Sequence, residues 1–321
     1  MRAGGDFICI GEPGIGNGPT TLIVSGRLSR LGLRQGEAAS IADRSVAIGD
    51  LRFSLDRCET WRPPPWPACA AVCPIDTCAA LADALRAAPP EGFARAVFGA
   101  PETPLARIAR SRIARFAAWL SATLSRRTPA EPFAPTLPPA SGASGGEGRR
   151  ARSARRGGGH LRATGAADAK LNHPPPLTPP HRASRGGRGI EDVPRESPAM
   201  EEAIAGLLGL GPGLTPSGDD FLIGALAMLD ALGERKIHAA LARAVTALAP
   251  ALTSPLSASF LRAAAGGHVG ENLCSAIALV LLGDVGAAVA AARRIGHASG
   301  WDMLAGAAIA LRIVPQHPEE A

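Results

Sequence analysis

The stretch Gly209-Leu-Gly-Pro-Gly-Leu-Thr-Pro-Ser-Gly-Asp-Asp220 leads directly into the apolar run Phe221 to Leu232. Its glycines can adopt positive φ and let a ligand approach the backbone, while its prolines stiffen the turn. Ser217 is a favourable N-cap, which places Asp219 and Asp220 in the first helical turn, where free backbone N–H groups and a positive dipole end are expected. The stretch therefore predicts a rigid loop that delivers two carboxylates to a helix start. Such a loop either builds a ligand site or simply starts the helix.

A second copy of this motif occurs near the C-terminus. Ser217-Gly-Asp-Asp-Phe-Leu-Ile-Gly-Ala-Leu-Ala-Met-Leu229 aligns with Ser299-Gly-Trp-Asp-Met-Leu-Ala-Gly-Ala-Ala-Ile-Ala-Leu311, and seven of thirteen positions are identical. In each copy Ser-x-x-Asp resembles a capping box with the aspartate at N3. Gly224 and Gly306 each cost roughly 1 kcal/mol relative to alanine inside a helix. Such glycines indicate close backbone contact, which we expect between these two helices.

The repeated motif supplies the candidate functional residues. If the two helix starts lie together, Asp219, Asp220 and Asp302 converge beside the glycine loop, with His297 at the rim to move a proton, and these four are the predicted catalytic residues. Exposed N–H groups suit an anion, and carboxylates suit substrate amino groups or a divalent cation such as Mg²⁺. The predicted substrate-binding residues are Gly211, Gly213, Thr215, Ser217, Gly218, Ser299 and Gly300.

Capping is the alternative role for two of these aspartates. Asp220 and Asp302 occupy the N3 position of their motifs, so capping explains them as well as chemistry does. Asp219 is aligned with Trp301 and has no capping role, which makes it the sharper functional prediction.

Other metal and nucleotide motifs are missing from the sequence. No His-x-x-x-His pair is present, and Cys69-x3-Cys73-x4-Cys78 matches no common zinc or iron–sulfur spacing, so no dedicated metal site is predicted. Gly209-x-Gly-x-Gly has no preceding strand and no following Gly-Lys-Ser/Thr, which excludes the Rossmann and P-loop patterns. The six cysteines are expected to be free thiols.

Composition indicates a helical, cytoplasmic protein without a membrane span. Apolar residues make up 46% of the chain but aromatics only 4%, no run of 18 apolar residues occurs, and no secretory leader is recognised. The net charge of +6 is confined to Arg149–Arg195, which carries +8 and leaves −2 for the remaining residues. That basic segment has no aromatic residues for base stacking, so we expect no nucleic-acid partner.

Patterning along the chain predicts an α+β protein with four segments. Residues 1–62 contain short strands at Asp6–Gly11, Thr20–Ser25, Arg44–Ile48 and Leu51–Leu55, which predict a small, mostly antiparallel β subdomain. Residues 63–128 are helical, at Asp76–Ala88 and Pro104–Ser125. Residues 199–314 form a helical domain that carries both motifs. Its predicted helices are Met200–Leu208, Asp219–Leu232, Glu234–Leu248, Pro255–Ala265, Glu271–Leu282, Val285–Ile295 and Trp301–Ile313.

Residues 129–198 differ from the rest of the chain. Proline, arginine, glycine and serine dominate and apolar periodicity is lost, so the segment cannot bury enough surface to offset its ordering entropy. Disorder is the prediction. Two origins stay open: a natural insertion or linker, or a disturbed reading frame in GC-rich DNA.

The two glycine-containing motifs resemble those of the AllH-like family. The resemblance is carried by Gly209-Leu-Gly-Pro-Gly-Leu-Thr-Pro-Ser-Gly-Asp-Asp-Phe-Leu-Ile-Gly224 and Ile295-Gly-His-Ala-Ser-Gly-Trp-Asp-Met-Leu-Ala-Gly306, with a third similar stretch at Gly14–Val24. It implies carbamoyl transfer between carbamoyl phosphate and oxamate in allantoin and purine catabolism. It also implies other carbamoyltransferase subunits as partners and a small anionic substrate.

Three functional hypotheses follow from these observations. The first is a subunit of an oxamate carbamoyltransferase-like complex acting on oxamate or a related small ureide acid. The second is a non-catalytic assembly or regulatory subunit whose motifs only pack helices. The third is a stand-alone amide or ureide hydrolase, which is weakened because no Ser/His/Asp nucleophile elbow is present.

Overall fold

The structure is a computed structural model that describes residues 2–3, 6–24, 27–42, 44–56, 58–67, 75–89, 91–100, 103–125 and 198–314. All of them fall in one compact unit. The low-complexity segment, apart from its last residue, lies outside the described residues, so its disorder stays a prediction.

Short strands occupy the N-terminal part of the chain, as the sequence predicts. They form three small sheets: an antiparallel pair of β1 and β2, a parallel pair of β3 and β4, and an antiparallel meander of β5, β6 and β7. The strands are β1 (Arg2–Ala3), β2 (Asp6–Phe7), β3 (Cys9–Gly11), β4 (Thr21–Ile23), β5 (Ala39–Ala42), β6 (Ser45–Ile48) and β7 (Leu51–Ser54). β1 and β5 were not predicted.

The hairpin between β6 and β7 has a two-residue turn. Ile48 faces Leu51 across the ladder, so Gly49 and Asp50 form the turn between them. Gly49 has φ +54°, the left-handed conformation that the first position of such a turn favours.

Helices make up the rest of the described chain. The predicted helices are confirmed to within a few residues at their ends, and one short helix, α2, was not predicted. The bounds are α1 (Ile75–Arg86), α2 (Phe93–Phe98), α3 (Pro104–Ser125), α4 (Pro198–Ala205), α5 (Ser217–Ala231), α6 (Arg235–Leu252), α7 (Pro255–Ala265), α8 (Glu271–Leu281), α9 (Val285–Ala292) and α10 (Ser299–Ile313). The α+β class is therefore confirmed.

The parallel pairing of β3 with β4 depends on a loop that packs against α8. The loop contains a short 3₁₀ turn at Pro13–Ile15 and brings Thr21 back beside Cys9. Asn17 donates both its backbone N–H and its side-chain N–H to Glu271, each at 2.9 Å, and the Glu271 N–H donates to the Asn17 carbonyl. The loop that joins the two parallel strands is therefore held against the start of α8.

α5 is the central helix of the molecule. Every one of its residues except Asp230 is buried, and α10, which packs along it, is buried over most of its length. A helix that is covered on all sides has to be apolar around its circumference, as the sequence Phe221–Leu229 is. Asp230, the exception, accepts a hydrogen bond of 2.9 Å from Nε1 of Trp66, which lies in the proline-rich segment 62–67.

α5 and α10 cross at the two predicted glycines. A Cβ on Gly224 would overlap the Met303 carbonyl group, and a Cβ on Gly306 would overlap the Phe221 carbonyl group. The expectation of close backbone contact between these helices is confirmed, and it explains why two helix-weakening residues occupy equivalent positions.

We expect Gly224→Ala and Gly306→Ala to destabilise the protein by about 1–3 kcal/mol each, because the added methyl would force apart two buried backbones. Urea unfolding followed by circular dichroism measures this change.

Gly286→Ala provides the matched control. Gly286 is an exposed glycine within α9, and an added Cβ would come no nearer than 3.8 Å to a neighbouring atom. Alanine there should stabilise the helix by up to ~1 kcal/mol. Equal and stabilising effects at all three positions would contradict the proposed crossing.

Candidate functional site

The loop between α4 and α5 is shaped by glycines in positive-φ conformations. Gly209, Gly211 and Gly213 have φ of +71°, +120° and +99°, values that side chains rarely tolerate. Gly209 also packs so closely on the Leu252 carbonyl that no Cβ would fit. The far side of the loop faces solvent, where Leu214 is 74% exposed.

Both ends of this loop are held by hydrogen bonds. The Gly218 N–H donates to the Leu210 carbonyl at 2.9 Å, and Ser254 Oγ donates to the Leu214 carbonyl at 2.8 Å. Near the end of the loop, Thr215 Oγ1 and Ser299 Oγ lie 3.3 Å apart in a hydrogen bond. The loop therefore bridges to α7 and to the start of α10.

Free N–H groups lie in the loop rather than at the helix start. The N–H groups of Asp219 and Asp220 already donate to the Pro216 carbonyl, as that of Gly218 does to Leu210, so the expected open helix terminus is largely satisfied. Within the described residues, no acceptor pairs with the backbone N–H groups in the largely exposed span Gly211–Thr215. These amides are the groups that suit an anion.

Asp219 is an anchor for the loop. Its side chain is completely buried; Oδ1 accepts the Gly209 N–H at 2.8 Å, and Oδ2 accepts Ser257 Oγ at 2.7 Å together with Thr253 Oγ1. Ser254 caps α7 by accepting the Ser257 N–H, and the hydroxyl groups of Thr253 and Ser257 donate to Asp219.

The predicted capping boxes are replaced by an exchange of partners between helices. Ser217 and Ser299 are the first residues of α5 and α10 rather than N-caps, and neither helix has a side-chain cap at its start. The Asp220 carboxyl faces the Ser299 hydroxyl, and the Asp302 carboxyl faces the Ser217 hydroxyl. Each aspartate thus reaches the serine of the opposite copy.

Asp302 additionally caps a third helix. Its Oδ1 accepts the N–H groups of Phe93 at 2.6 Å and Ala94 at 3.1 Å, at the start of α2. Gly92, the N-cap of α2, lies so close that a Cβ would be 2.5 Å from the same oxygen. This contact was missed because α2 was not predicted; the signal was the glycine before the apolar run Phe93–Phe98.

Burial gives both aspartates unusual acidities. Burial raises the pKa of Asp220 to about 8; the charges of Asp302 and Asp219 add to this, and the hydroxyl groups of Ser299 and Thr215 oppose it. At pH 7 the Asp220 carboxyl is therefore mostly protonated.

The same cause acts less strongly on Asp302. Burial raises its pKa to about 6, against the opposing effects of the Ser217 hydroxyl and the α2 N–H groups. One oxygen of each carboxyl, Asp220 Oδ1 and Asp302 Oδ2, is buried without a hydrogen-bond partner. Of the two carboxyl groups, burial therefore favours the protonated form of Asp220 more strongly than that of Asp302.

His297 lies at the rim, as expected. Its side chain is 80% exposed, and Nε2 is 3.7 Å from Oε2 of Glu91, which precedes the α2 cap Gly92. The described structure thus gathers the predicted aspartates and serines around the loop and leaves His297 at the surface beside them.

No group of three or more His, Cys, Asp or Glu side chains in the described ranges is placed to hold a metal ion. Among the described residues, Cys9, Cys58 and Cys274 are free thiols, whereas Cys69 and Cys73 lie outside the described residues. Among the helices of the described ranges, none has both the length and the apolar character that crossing a membrane demands.

The raised pKa of Asp220 predicts a loss of stability with rising pH. A carboxyl whose pKa is higher in the folded state stabilises the fold most when protonated, so this contribution is lost as the pH rises from about 3.8 to about 8. We expect the free energy of unfolding to fall by roughly 1 kcal/mol per pH unit between pH 6 and 8. Asp220→Asn should flatten this slope, which urea unfolding at pH 6, 7 and 8 measures.

Asp76→Asn is the control, since Asp76 is an exposed carboxylate in the first turn of α1. Its slope should match that of the unmodified protein. A slope unchanged in Asp220→Asn would show that Asp220 is ionised throughout this range.

A comparison with known families identifies the region that forms this site. Residues 207–311 match the family described as oxamate carbamoyltransferase subunit AllH. The match begins just before the glycine loop and ends in α10, whereas the strands and α1–α4 lie outside it. No curated protein and no solved structure matches the chain. Both copies of the motif fall within the matched region, so the part of the chain that forms the site is similar to this family.

Proposed function

We propose that this protein is a cytoplasmic subunit of an oxamate carbamoyltransferase-like complex in the catabolism of purine nitrogen. The complex would transfer a carbamoyl group between carbamoyl phosphate and oxamate or a related small ureide acid. The family description names a subunit, so other chains are its expected partners.

The observation that carries the proposal is the glycine loop beside the Asp220 carboxyl. The loop presents backbone N–H groups without partners over Gly211–Thr215, and the Thr215 and Ser299 hydroxyls lie next to a buried carboxyl. Amides of this kind bind carboxylate or phosphate oxygens, and a carboxyl group binds amide N–H groups. Oxamate has one group of each kind on adjacent carbons.

The reaction places simple demands on such a site. A bond forms between the oxamate nitrogen and the carbamoyl carbon, the bond from that carbon to the phosphate oxygen breaks, and the nitrogen loses one proton. The loop would hold the anionic oxygens, and His297 at the rim would accept the proton. Asp219 and Asp302 would keep the walls in place, because their carboxyl groups bind the loop start and α2.

Two variants test these roles in the protein purified with its partner subunits. We expect His297→Ala to lower kcat by roughly 10²- to 10⁴-fold through loss of proton transfer. Asp219→Ala should lower kcat/KM by roughly 10- to 100-fold because the loop loses its anchor. Phosphate release and oxalurate formation, measured together, report the transfer.

His268→Ala is the matched control, since His268 is an exposed histidine after α7, outside the site. Its activity should equal that of the unmodified complex. Unchanged turnover in His297→Ala and Asp219→Ala would remove both proposed roles.

A second candidate function is an assembly or regulatory subunit without catalytic groups. The saturation of Asp219 by three donors of its own chain favours it, because this carboxylate then has a sufficient structural role. In that case Asp219→Asn would lower neither ligand binding nor the activity of the complex, although the chain would still be needed for assembly.

A further inference from the structure

The contacts between α5 and α10 are reciprocal. Gly224 packs on the Met303 carbonyl, and the aligned residue Gly306 packs on the Phe221 carbonyl, where Phe221 is aligned with Met303. The two aspartates and serines are exchanged in the same way. The two copies of the motif are therefore related by an approximate two-fold axis.

The two aspartates differ in the donors that surround them. Asp302 Oδ1 accepts two backbone N–H groups from the start of α2 and only its Oδ2 is left without a partner, whereas Asp220 Oδ1 is unpartnered in the carboxyl that lies beside Thr215 of the exposed loop. Asp220 is 1% exposed, so water in bulk does not supply the missing donors. A buried oxygen left unpaired destabilises the fold, and a folded protein tolerates this cost where a ligand later supplies the bond.

We infer that Asp220 Oδ1 accepts the primary amide N–H group of the bound substrate, in the role that the α2 N–H groups play toward Asp302. The inference rests on the proposed function and adds the group that selects an amide. The substrate carboxylate would then bind the free amides of Gly211–Thr215, which adjoin Asp220 through Thr215.

Access to Asp220 lies on the side of the loop. Thr215, whose hydroxyl is bonded to Ser299, is half-buried, and the preceding residues Pro212–Leu214 are exposed. Displacement of Thr215 would break one side-chain hydrogen bond and leave the anchor at Asp219 intact. Entry of the substrate therefore requires movement of the loop tip only.

Binding should be coupled to proton release. An N–H donor favours the ionised carboxylate, whereas the unliganded Asp220 carboxyl is mostly protonated at pH 7. The charged groups that act on it are Asp219 on its own helix and Asp302 on α10, and both raise its proton affinity. Oxamate affinity should consequently rise between pH 6 and pH 8.

Three small acids separate the contributions of the amide and the carboxylate. Pyruvate replaces the oxamate NH₂ with CH₃, and oxalate replaces the amide with a second carboxylate. We expect the complex to bind oxamate at least ~10-fold more tightly than either, because a site built around an N–H group disfavours analogues that lack it.

The experiment is isothermal titration of the full chain with its partner subunits in two buffers of different ionisation enthalpy, using all three acids. Asp220→Leu should bind oxamate and pyruvate with equal affinity. Asp220→Asn keeps an acceptor oxygen, so it should retain much of the preference and lose both the pH dependence and the proton release. Asp76→Asn, the exposed control, should behave as the unmodified protein does.

The outcomes distinguish this inference from the proposed function. Absence of oxamate binding to the unmodified complex would overturn both. Oxamate binding with an unchanged preference in Asp220→Leu would overturn the role of Asp220 alone and leave the proposed function in place. Should Asp220→Leu fail to fold, persistent proton release in Asp220→Asn would overturn the inference by itself.

Discussion

The contact between the backbones of α5 and α10 at Gly224 and Gly306 determines where every group of the site can lie. Two helices that approach this closely hold their first turns at a fixed separation, since a packed crossing leaves little freedom to slide. The serines and aspartates of the first turns are then near enough to exchange partners. A side chain at either glycine would separate the helix starts and leave two buried carboxyl groups without their hydroxyl partners.

The carboxyl groups of Asp220 and Asp302 are buried, and burial changes both their acidity and the hydrogen bonds they can form. The surrounding helices exclude water from Asp220 and Asp302, which raises the pKa values of both carboxyl groups and strengthens any hydrogen bond formed there. The fold meets this cost by different means on the two sides. It supplies the α2 N–H groups to Asp302 Oδ1 and three donors to Asp219, and it leaves Asp302 Oδ2 and Asp220 Oδ1 without a partner. Of these two carboxyl groups, that of Asp220 lies beside Thr215 of the exposed loop.

The spacing of apolar residues, together with proline, glycine and capping residues at the helix ends, was sufficient to predict most of the helices. α3 and α7 have the predicted bounds, and the predicted start of α9 at Val285 is fixed by Asp284, which accepts the Ala287 N–H at 2.9 Å. The repeat also predicted the helix crossing, since a glycine inside a buried apolar helix weakens that helix and is retained where a neighbouring backbone leaves no room for a Cβ. These features are local, or are recorded as spacing along one chain.

Hydrogen bonds between residues that are far apart in the sequence could not be predicted in the same way. The Ser-x-x-Asp spacing is equally compatible with a capping box and with the approach of Ser217 to Asp302 of the other copy, because both arrangements use the same two kinds of side chain. Nothing near Asp302 in the sequence indicates the N-terminus of α2. The sequence predicted free N–H groups at the start of α5, but they lie in the glycine loop instead. The Leu210 and Pro216 carbonyls accept the N–H groups of the first turn.

Asp219 and Trp301 occupy equivalent positions in the two copies of the motif, yet one is a hydrogen-bond acceptor and the other a core residue. This position is one of the six aligned positions, out of thirteen, at which the two copies differ. One copy has a carboxylate that accepts hydrogen bonds from the loop start and from α7, and the other has an indole packed in the core. Two copies of one motif can differ in function only at such a position, where a substitution in one copy leaves the packing of the other unchanged.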